Sequence, residues 1–310
     1  MRAILAACLL CLSVTALAGH PDAYSAGVVA YKAGNYPTAI ADFRPAAEQG
    51  NARAQFRLGL MYHQGQGVPQ DYAKALKWYR LAAQQGNAVA QYDLGVMYYK
   101  GQGVPQDYAK ALKWNRLAAQ QGLAAAQNNL GGMYYKGQGE PQDYAKALKW
   151  FRLAAKQGYA MAQVNLGVMY RDGHGVPQDY AKAVKWFRLA AQQGYAVAQF
   201  NLGNMYRIGH GVPQDYSEAV KWYRLAAQQG DADAQGNLGV MYTRGLGVPQ
   251  NYVAAYKWHA LAKGAAKPAN NAYKHASANM AVLAPLMTPA QIAQAKQEAS
   301  AWWAAHHKGG

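Results

Sequence analysis

The chain repeats one stretch of 36 residues, Asn87 to Gly122, which reads NAVAQYDLGVMYYKGQGVPQDYAKALKWNRLAAQQG. Lightly edited copies of this stretch begin at Asn51, Leu123, Tyr159, Tyr195 and Asp231. A fixed period of this length is typical of proteins in which small supersecondary units stack on their neighbours in one dimension. The repeat therefore decides the fold: it predicts a solenoid of six such units.

Each copy predicts two helices joined by a loop. In the first copy, helix A is expected over about Ala52 to Gln64, and Gly65 ends it as a left-handed cap. Asp71 is a good N-cap for helix B, which is expected to run to about Gln85. Trp78 and its equivalents are expected to fill the space between helices. The fold class predicted is all-α, built from helix–loop–helix repeats.

The N-terminal residues 1–18 predict a secretory signal peptide. Arg2 precedes an uncharged apolar run from Ala3 to Val14, and Ala16-Leu17-Ala18 is a small-x-small cleavage pattern. The apolar run is shorter than the roughly 20 residues of a membrane-spanning helix, and the lipobox-like Leu5-Ala6-Ala7-Cys8 comes too early for a lipoprotein. We therefore expect cleavage after Ala18 and export to the periplasm or the medium. Both cysteines lie in this segment, so the mature chain has none.

The rest of the chain divides into three parts. Residues 19–50 predict a capping unit with helices over Asp22–Lys32 and Tyr36–Gln49, and its sequence GVVAYKAGNYPTAIADFRPAAEQG has the look of a tetratricopeptide repeat. Residues 265–310 predict two closing helices and a tail, with Trp302 and Trp303 covering the last apolar face. The six repeats lie between them, over residues 51–86, 87–122, 123–158, 159–194, 195–230 and 231–264.

The repeated pattern LGxMY followed by GxGVPQDYxKAxKWxRLAAxQG resembles the Sel-one-like repeat (SLR), a relative of the tetratricopeptide repeat with a longer loop. The resemblance covers residues 51–264 and, more loosely, the mature chain. It implies a right-handed α/α superhelical solenoid that acts as an adaptor for protein complexes, often exported in bacteria. Some cysteine-rich members are linked to β-lactam binding, and that link does not carry over because this chain lacks their paired cysteines.

Comparison of the six copies separates two faces of helix A. Positions 54, 55, 58, 59, 61 and 62 are the same in every copy, whereas positions 53, 56, 57, 60, 63 and 64 change. At about 100° per residue, the variable positions fall within an arc of roughly 120°. In tetratricopeptide-like solenoids helix A lines the concave groove, so we expect this arc to bind a protein or peptide. The predicted partner-binding residues are Arg53, Phe56, Arg57, His63, Tyr92, Asp93, Tyr99, Lys100, Asn129, Tyr135, Lys136, Asn165, Arg171, Phe200, Asn201, Asn204, Arg207, Asn237 and Arg244.

The composition of this arc suits recognition, with one alternative. Asn129, Asn165, Asn201 and Asn237 stand in a row that could bond the backbone of an extended peptide. The alternative is that the variable positions are simply solvated and bind nothing. Aromatic and apolar residues such as Phe56 and Phe200 are expected to be exposed here, which favours an interface.

Helix B carries a basic stripe in a chain of formal net charge +16. Lys77 has a lysine equivalent in all six repeats, and it is expected on an outer ridge, away from Trp78. Such a stripe is either a solvated face whose stems cover apolar surface or a contact for anionic surfaces such as acidic headgroups. Export makes nucleic acid an unexpected partner.

The sequence offers little catalytic chemistry. It has no HExxH, GxSxG or Ser-x-x-Lys motif, and helix capping explains the carboxylates at positions 71, 107, 143, 179 and 215. His174 and His210 occupy the same loop position in adjacent repeats, a weak indication of a metal site. We therefore expect no enzyme, no cofactor and no metal. The alternative is an enzyme or small-molecule binder acting on cell-wall material.

Overall fold

A computed structural model describes residues 22–306, so the predicted signal peptide and the last four residues lie outside the described part of the chain. The described residues form sixteen α-helices and one short 3₁₀ helix, Ala284–Leu286. The helices are α1 Ala23–Lys32, α2 Tyr36–Glu48, α3 Ala52–Gln64, α4 Tyr72–Gln84, α5 Ala88–Lys100, α6 Tyr108–Gln120, α7 Ala124–Lys136, α8 Tyr144–Lys156, α9 Ala160–Asp172, α10 Tyr180–Gln192, α11 Ala196–Ile208, α12 Tyr216–Gln228, α13 Ala232–Arg244, α14 Tyr252–Ala265, α15 Asn271–Leu283 and α16 Pro289–His306. The all-α class and the paired helices of an SLR solenoid are confirmed.

Local capping chemistry sets the helix ends where the sequence predicts them. Gly65 ends α3 in the left-handed region, with φ 70°. The Asp71 carboxylate accepts a hydrogen bond from the Lys74 amide at 2.9 Å and begins α4. Gln70 Nε2 donates to the His63 carbonyl at 2.8 Å, so the loop residue satisfies a carbonyl at the end of α3. The same three features recur in the later repeats.

The described residues divide into two compact units, of which the first ends at Gln106 and the second begins at Asp107. In the first, α1 packs with α2, α2 with α3, α3 with α4 and α4 with α5. In the second, each helix from α6 to α13 packs with the next, and α14 packs with α13, α15 and α16. Each unit is thus a serial stack in which a helix touches its neighbours in the sequence.

The large side chain at the centre of each helix pair is the residue after the tryptophan. Phe187 is fully buried against Gly167, where an added Cβ would lie 2.6 Å from its Cε1 atom. Tyr79 and Tyr223 are also fully buried, whereas Trp78, Trp114, Trp150, Trp186 and Trp222 are only half-buried. The expectation that the tryptophans fill the centre is wrong for these five, because the glycine of helix A gives the closest approach to the following position.

Polar side chains bond successive repeats together. Arg188 Nη2 donates to the Tyr206 hydroxyl at 2.9 Å, and Arg116 Nη2 to the Tyr134 hydroxyl at 2.8 Å. Gln163 is buried and donates to the Ala155 carbonyl at 3.3 Å, which is an end group of the preceding helix. These bonds explain why positions 55 and 62 never change between copies.

The C-terminal helices close the second unit. Trp302 and Trp303 pack against the cluster that contains Trp258 and Leu261, and the Trp258 and Trp302 ring centroids are 6.4 Å apart. The expectation that these tryptophans cover the last apolar face is confirmed. Helix α16 continues to His306, whose Nδ1 bonds the Trp302 carbonyl oxygen at 2.8 Å. Among residues 22–306, no helix is both long enough and apolar enough to span a membrane.

Candidate partner-binding face

The variable positions of the A helices, 53, 56, 57, 60, 63, 64 and their equivalents, are called the A face here. In the first unit the A face carries Arg53, which is exposed, and Arg57, whose guanidinium carbon lies 5.4 Å from the centre of the Tyr31 ring. Phe56 is half-buried and stacks on the buried Tyr79 ring at 5.9 Å between centroids. Phe56 therefore belongs in part to the core, which corrects the expectation that it is exposed.

Three titratable side chains meet on the A face of the first unit. The Tyr79 hydroxyl lies 3.4 Å from His63 Nδ1 and is also hydrogen-bonded to the Asp93 carboxylate. Burial raises the pKa of Asp93 to about 6, against the opposing effect of the Tyr79 hydrogen bond. Burial, and then the charge of Lys100, lower the pKa of His63. Tyr92 and Tyr99 are half-buried beside this cluster, and Lys100 is exposed.

The asparagine row of the second unit is largely satisfied within the unit. Asn165 Nδ2 donates to Asn128 Oδ1 at 2.9 Å, and Asn237 Nδ2 donates to Asn204 Oδ1 at 3.3 Å. Asn201 is buried, and its Nδ2 donates to the Val197 carbonyl at 2.7 Å. Asn129 is half-buried. The row lies on one face, as predicted, but much of its bonding capacity is already used.

The arginines of the second unit are also held by internal partners. Arg171 binds the Asp172 carboxylate through Nε and Nη2, at 2.7 and 2.9 Å, and its Nη1 donates to Asn201 at 2.9 Å. Arg171 lowers the pKa of Asp172. Arg207 Nε donates to the Tyr223 hydroxyl at 3.1 Å. Both side chains therefore stabilise the face as well as present charge.

Apolar side chains are exposed inside the arc of the A face in the second unit. Met161 is 41% exposed, and Val197 and Ile208 are each 44% exposed. Lys136 and Arg244 are exposed on the same A face, and Tyr135 is half-buried. Phe200 is half-buried and lies 6.1 Å from the Tyr223 ring centroid, so it resembles Phe56 and not Met161.

The sequence alone did not single out Val197 and Ile208 as binding candidates. At about 100° per residue, positions 57 and 63 bound the variable arc, and the positions of Val197 and Ile208, 53 and 64 in the first repeat, lie inside it. The aromatic residues of position 56 lean on the core, as Phe56 does on Tyr79.

The two loop histidines stack on tyrosines. The His174 ring lies 4.7 Å from the Tyr144 ring with an interplanar angle of 5°, and its Nδ1 is 2.8 Å from the Tyr135 hydroxyl. His210 stacks on Tyr180 at 4.2 Å. No group of three or more histidines, cysteines or carboxylates that could hold a metal ion occurs in the described part of the chain.

Helix B presents three rows of basic residues with different partners. The row of Lys74 pairs with the N-cap aspartates, as in Lys182–Asp179 at 2.9 Å. The arginine row bonds the next repeat through tyrosine hydroxyls, as described above. Five of the six lysines of the middle row are exposed beside the tryptophans, the sixth, Lys257, is half-buried, and Lys77 Nζ lies 5.6 Å from the Trp78 ring centre. The expectation that Lys77 points away from Trp78 is therefore wrong.

Comparisons with known proteins agree with this architecture. The family described as Sel1 repeat matches residues 52–87, 88–123, 124–159, 160–195, 196–231 and 232–263. A Sel1 repeat protein from Oxalobacter formigenes is 34% identical, covers 81% of this chain and 100% of its own, and has a TM-score of 0.74. A protective antigen of uropathogenic Escherichia coli with an SLR fold is 31% identical, with 91% of this chain and 75% of its own covered and a TM-score of 0.40.

The comparison with curated proteins gave no match. The family matches span most of the described chain, and the matched segments coincide with the repeats read from the sequence to within a residue or two. The chain therefore belongs to the Sel1 repeat family, whose helical solenoids generally mediate protein interactions.

Proposed function

We propose that the protein is an exported, non-enzymatic adaptor that binds a protein or peptide on the A face. The observation that supports this most is the exposure of Met161, Val197 and Ile208 along α9 and α11. Exposed apolar side chains gain free energy when a partner covers them, at about 25 cal/mol per Å² of buried apolar surface. The neighbouring amides and cations supply the polar rim that such interfaces carry.

The absence of enzymatic activity is part of this proposal. The N-cap aspartates Asp71, Asp107, Asp143, Asp179 and Asp215 each accept a backbone hydrogen bond at the start of helix B. A carboxylate used in this way is not poised as a general acid or base. A turnover screen of the purified protein on cell-wall fragments tests this, and sustained turnover that co-purifies with the protein would contradict it.

A matched pair of variants tests the binding face. The A-face variant replaces Met161, Val197 and Ile208 by serine. The control replaces Leu153, Leu189 and Leu225 of the B helices by serine, because these leucines are similarly exposed, at 39, 38 and 39%. Partners are recovered from the native host by crosslinking and mass spectrometry. We expect the A-face variant to lose partners that the wild type and the control retain, with thermal unfolding unchanged in both. Equal recovery by all three proteins would refute the binding face.

A second candidate function has its own support. In the middle lysine row, Lys113, Lys149 and Lys185 are exposed and form no ion pair with any residue from 22 to 306, whereas Lys221 pairs with Glu218 and Lys257 with Glu298. Anionic surfaces would be held by such a row, with binding that weakens steeply as salt rises. Co-sedimentation with phosphatidylglycerol vesicles at low and high salt tests it, with the three lysines replaced by glutamine as the comparison. Binding that the lysine variant retains would exclude the row.

A further inference from the structure

A cleft of about 250 Å³ lies between α13 and α15 at the C-terminal end of the A face. Helix α13 contributes Asp233, Gly236, Asn237 and Val240, and all four stand at A-face positions. Helix α15 contributes mainly small residues and two polar side chains; its lining residues are Ala272, His275, Ala276, Ala278 and Asn279. The capping helix therefore turns the face of the last repeat into an open cleft with two walls.

Gly236 is the residue that opens this cleft. The equivalent positions in the other repeats carry Phe56, Tyr92, Asn128, Val164 and Phe200. A Cβ added at Gly236 would meet no atom within 4 Å, so packing does not require glycine here. Glycine within a helix is about 0.5–1 kcal/mol less favourable than alanine. The sequence thus places a destabilising residue where it creates room.

The charge in the cleft selects the kind of group that fits. On the A face of the second unit the carboxylates are Asp172 and Asp233. Asp172 is neutralised by Arg171, whereas Asp233 is exposed and forms no ion pair with any residue from 22 to 306. In a chain of net charge +16, an unneutralised carboxylate at the edge of a cleft favours a cation. Val240, Ala272 and Ala276 offer apolar surface for an aliphatic stem.

We infer that this cleft binds a cationic side chain of the lysine or arginine type, with its charged end at Asp233 and its stem against Val240 and the alanines of α15. The volume suits one such side chain and falls below the roughly 300–1,000 Å³ of sites that enclose whole small-molecule ligands. Asn237 and Asn279 provide amide oxygens to which the cation can donate. The inference rests on the proposed function in that it names the chemistry of one partner residue on the same face.

The test uses small probes and needs no knowledge of the partner. N-acetyl-lysine methylamide and N-acetyl-norleucine methylamide share the stem and differ in the charge. Each is titrated into the ¹⁵N-labelled protein, and amide shifts are followed by NMR. We expect the lysine probe to shift the amides of Gly236, Asn237, His275 and Asn279 in a saturable manner, and to bind at least about fivefold more tightly than the norleucine probe.

Variants separate the cavity from the charge. Gly236→Phe fills the cleft with the side chain found at Phe200, and Asp233→Asn keeps the shape and removes the charge. We expect Gly236→Phe to abolish binding of both probes and Asp233→Asn to weaken only the lysine probe by about fivefold or more. The control Gly132→Val restores the valine of other repeats at an open A-face glycine outside the cleft, and should bind as the wild type does.

The outcomes are distinct from those of the partner test. Absence of saturable shifts at the four amides, equal affinity for both probes, or binding that persists in Gly236→Phe overturns the inference. Asp233→Asn settles the charge question even if Gly236→Phe does not fold. If the adaptor proposal is wrong, partner recovery fails while the lysine probe still binds the cleft. If only the inference about the cleft is wrong, the probe does not bind while partners are still recovered.

Discussion

Asp93 is a carboxylate at a position where the third to sixth repeats carry asparagine. In the sixth repeat the same position is Asn237, which bonds Tyr223 and Asn204 beside Arg207. In the second repeat it is a carboxylate bonded to Tyr79, with His63 on the other side of the hydroxyl. Burial disfavours the ionised carboxylate, which is why its pKa is raised to about 6.

This raised pKa predicts the pH dependence of stability. The pKa of Asp93 in the folded protein lies above its value in the unfolded chain. The contribution of protonated Asp93 to the free energy of unfolding is therefore fully present below about pH 4 and is lost as the pH rises through 6. Asp93→Asn should therefore match the wild type near pH 4 and exceed it above pH 7 by about 1–2 kcal/mol, after allowance for partial exposure. Thermal unfolding across this range measures the difference. If Asp93→Asn is less stable than the wild type at pH 7.5, the folded protein stabilises the ionised carboxylate and the prediction is wrong.

His259 makes the second residue-scale prediction. It occupies the buried position of Phe187 and Tyr223, is fully buried, and neither ring nitrogen has a hydrogen-bond partner within residues 22–306. Burial lowers its pKa to about 4. The contribution of the neutral His259 ring to the free energy of unfolding is therefore fully present above about pH 6.5 and is lost as the pH falls towards 4. His259→Phe should raise the free energy of unfolding at pH 7 by about 1–2 kcal/mol and remove this acid dependence.

The control for His259 is His210, a half-buried histidine that stacks on Tyr180 in a loop. The control variant is His210→Gln. Urea unfolding at several pH values compares the three proteins. If His259→Phe lowers stability, the ring nitrogens have partners, such as bound water, that phenylalanine cannot replace.

At the scale of the element, two glycines in neighbouring A helices predict opposite effects of the same substitution. A Cβ at Gly167 of α9 would lie 2.6 Å from the Phe187 ring, so Gly167→Ala should cost about 1–3 kcal/mol. A Cβ at Gly132 of α7 would meet no atom within 4 Å, so Gly132→Ala should add about 0.5–1 kcal/mol. Chemical denaturation of both variants checks the sign. Equal effects would mean that helix propensity, and not ring packing, governs both sites.

The helices themselves could be predicted because their ends depend on neighbouring residues. Gly65, Asp71 and their equivalents act within a few residues of where they stand, so α3 and α4 began and ended close to the predicted positions. The closing helices α15 and α16 followed from the same signals.

Packing between elements could not be read in this way. The constant Trp78 is half-buried, whereas the following position, which varies between tyrosine, phenylalanine, asparagine and histidine, is buried throughout. Constancy between repeats was therefore a poor guide to burial in helix B, because a glycine opposite can accept several shapes, whereas the six constant positions of α3 are all buried. On the A face, variability was an equally poor guide to exposure. Phe56 and Asn201 stand at positions that vary between repeats, and yet both side chains pack inward.

The candidate site was predictable as a face but not as a set of contacts. The arc of variable positions predicts one side of the A helices as the binding face, and that choice stays a prediction. Which members are engaged depends on pairs that are far apart in sequence, such as Arg171 with Asn201 and Asn165 with Asn128. The cleft beside Gly236 depends on α15, which lies outside the repeats and whose docking no repeat pattern specifies.

At the scale of the whole molecule, the predicted export can be measured directly. The N-terminal pattern predicts cleavage after Ala18, so the exported chain should begin at Gly19 and contain no cysteine. Intact-mass spectrometry of the protein from the periplasm and the medium checks this. A chain that keeps Met1, or one that begins at a lipid-modified Cys8, would contradict soluble export.

The bonds between successive repeats also determine what happens when repeats are gained or lost. Each of the first five repeats supplies an arginine that bonds the tyrosine of the next repeat, as Arg152 bonds Tyr170 and Arg188 bonds Tyr206. Deletion of residues 159–194 would bring Arg152 opposite Tyr206, so the arginine again faces a tyrosine hydroxyl. Unequal recombination between near-identical copies can therefore change the length of the array without creating a faulty junction, and the number of A-face positions can evolve in steps of one repeat.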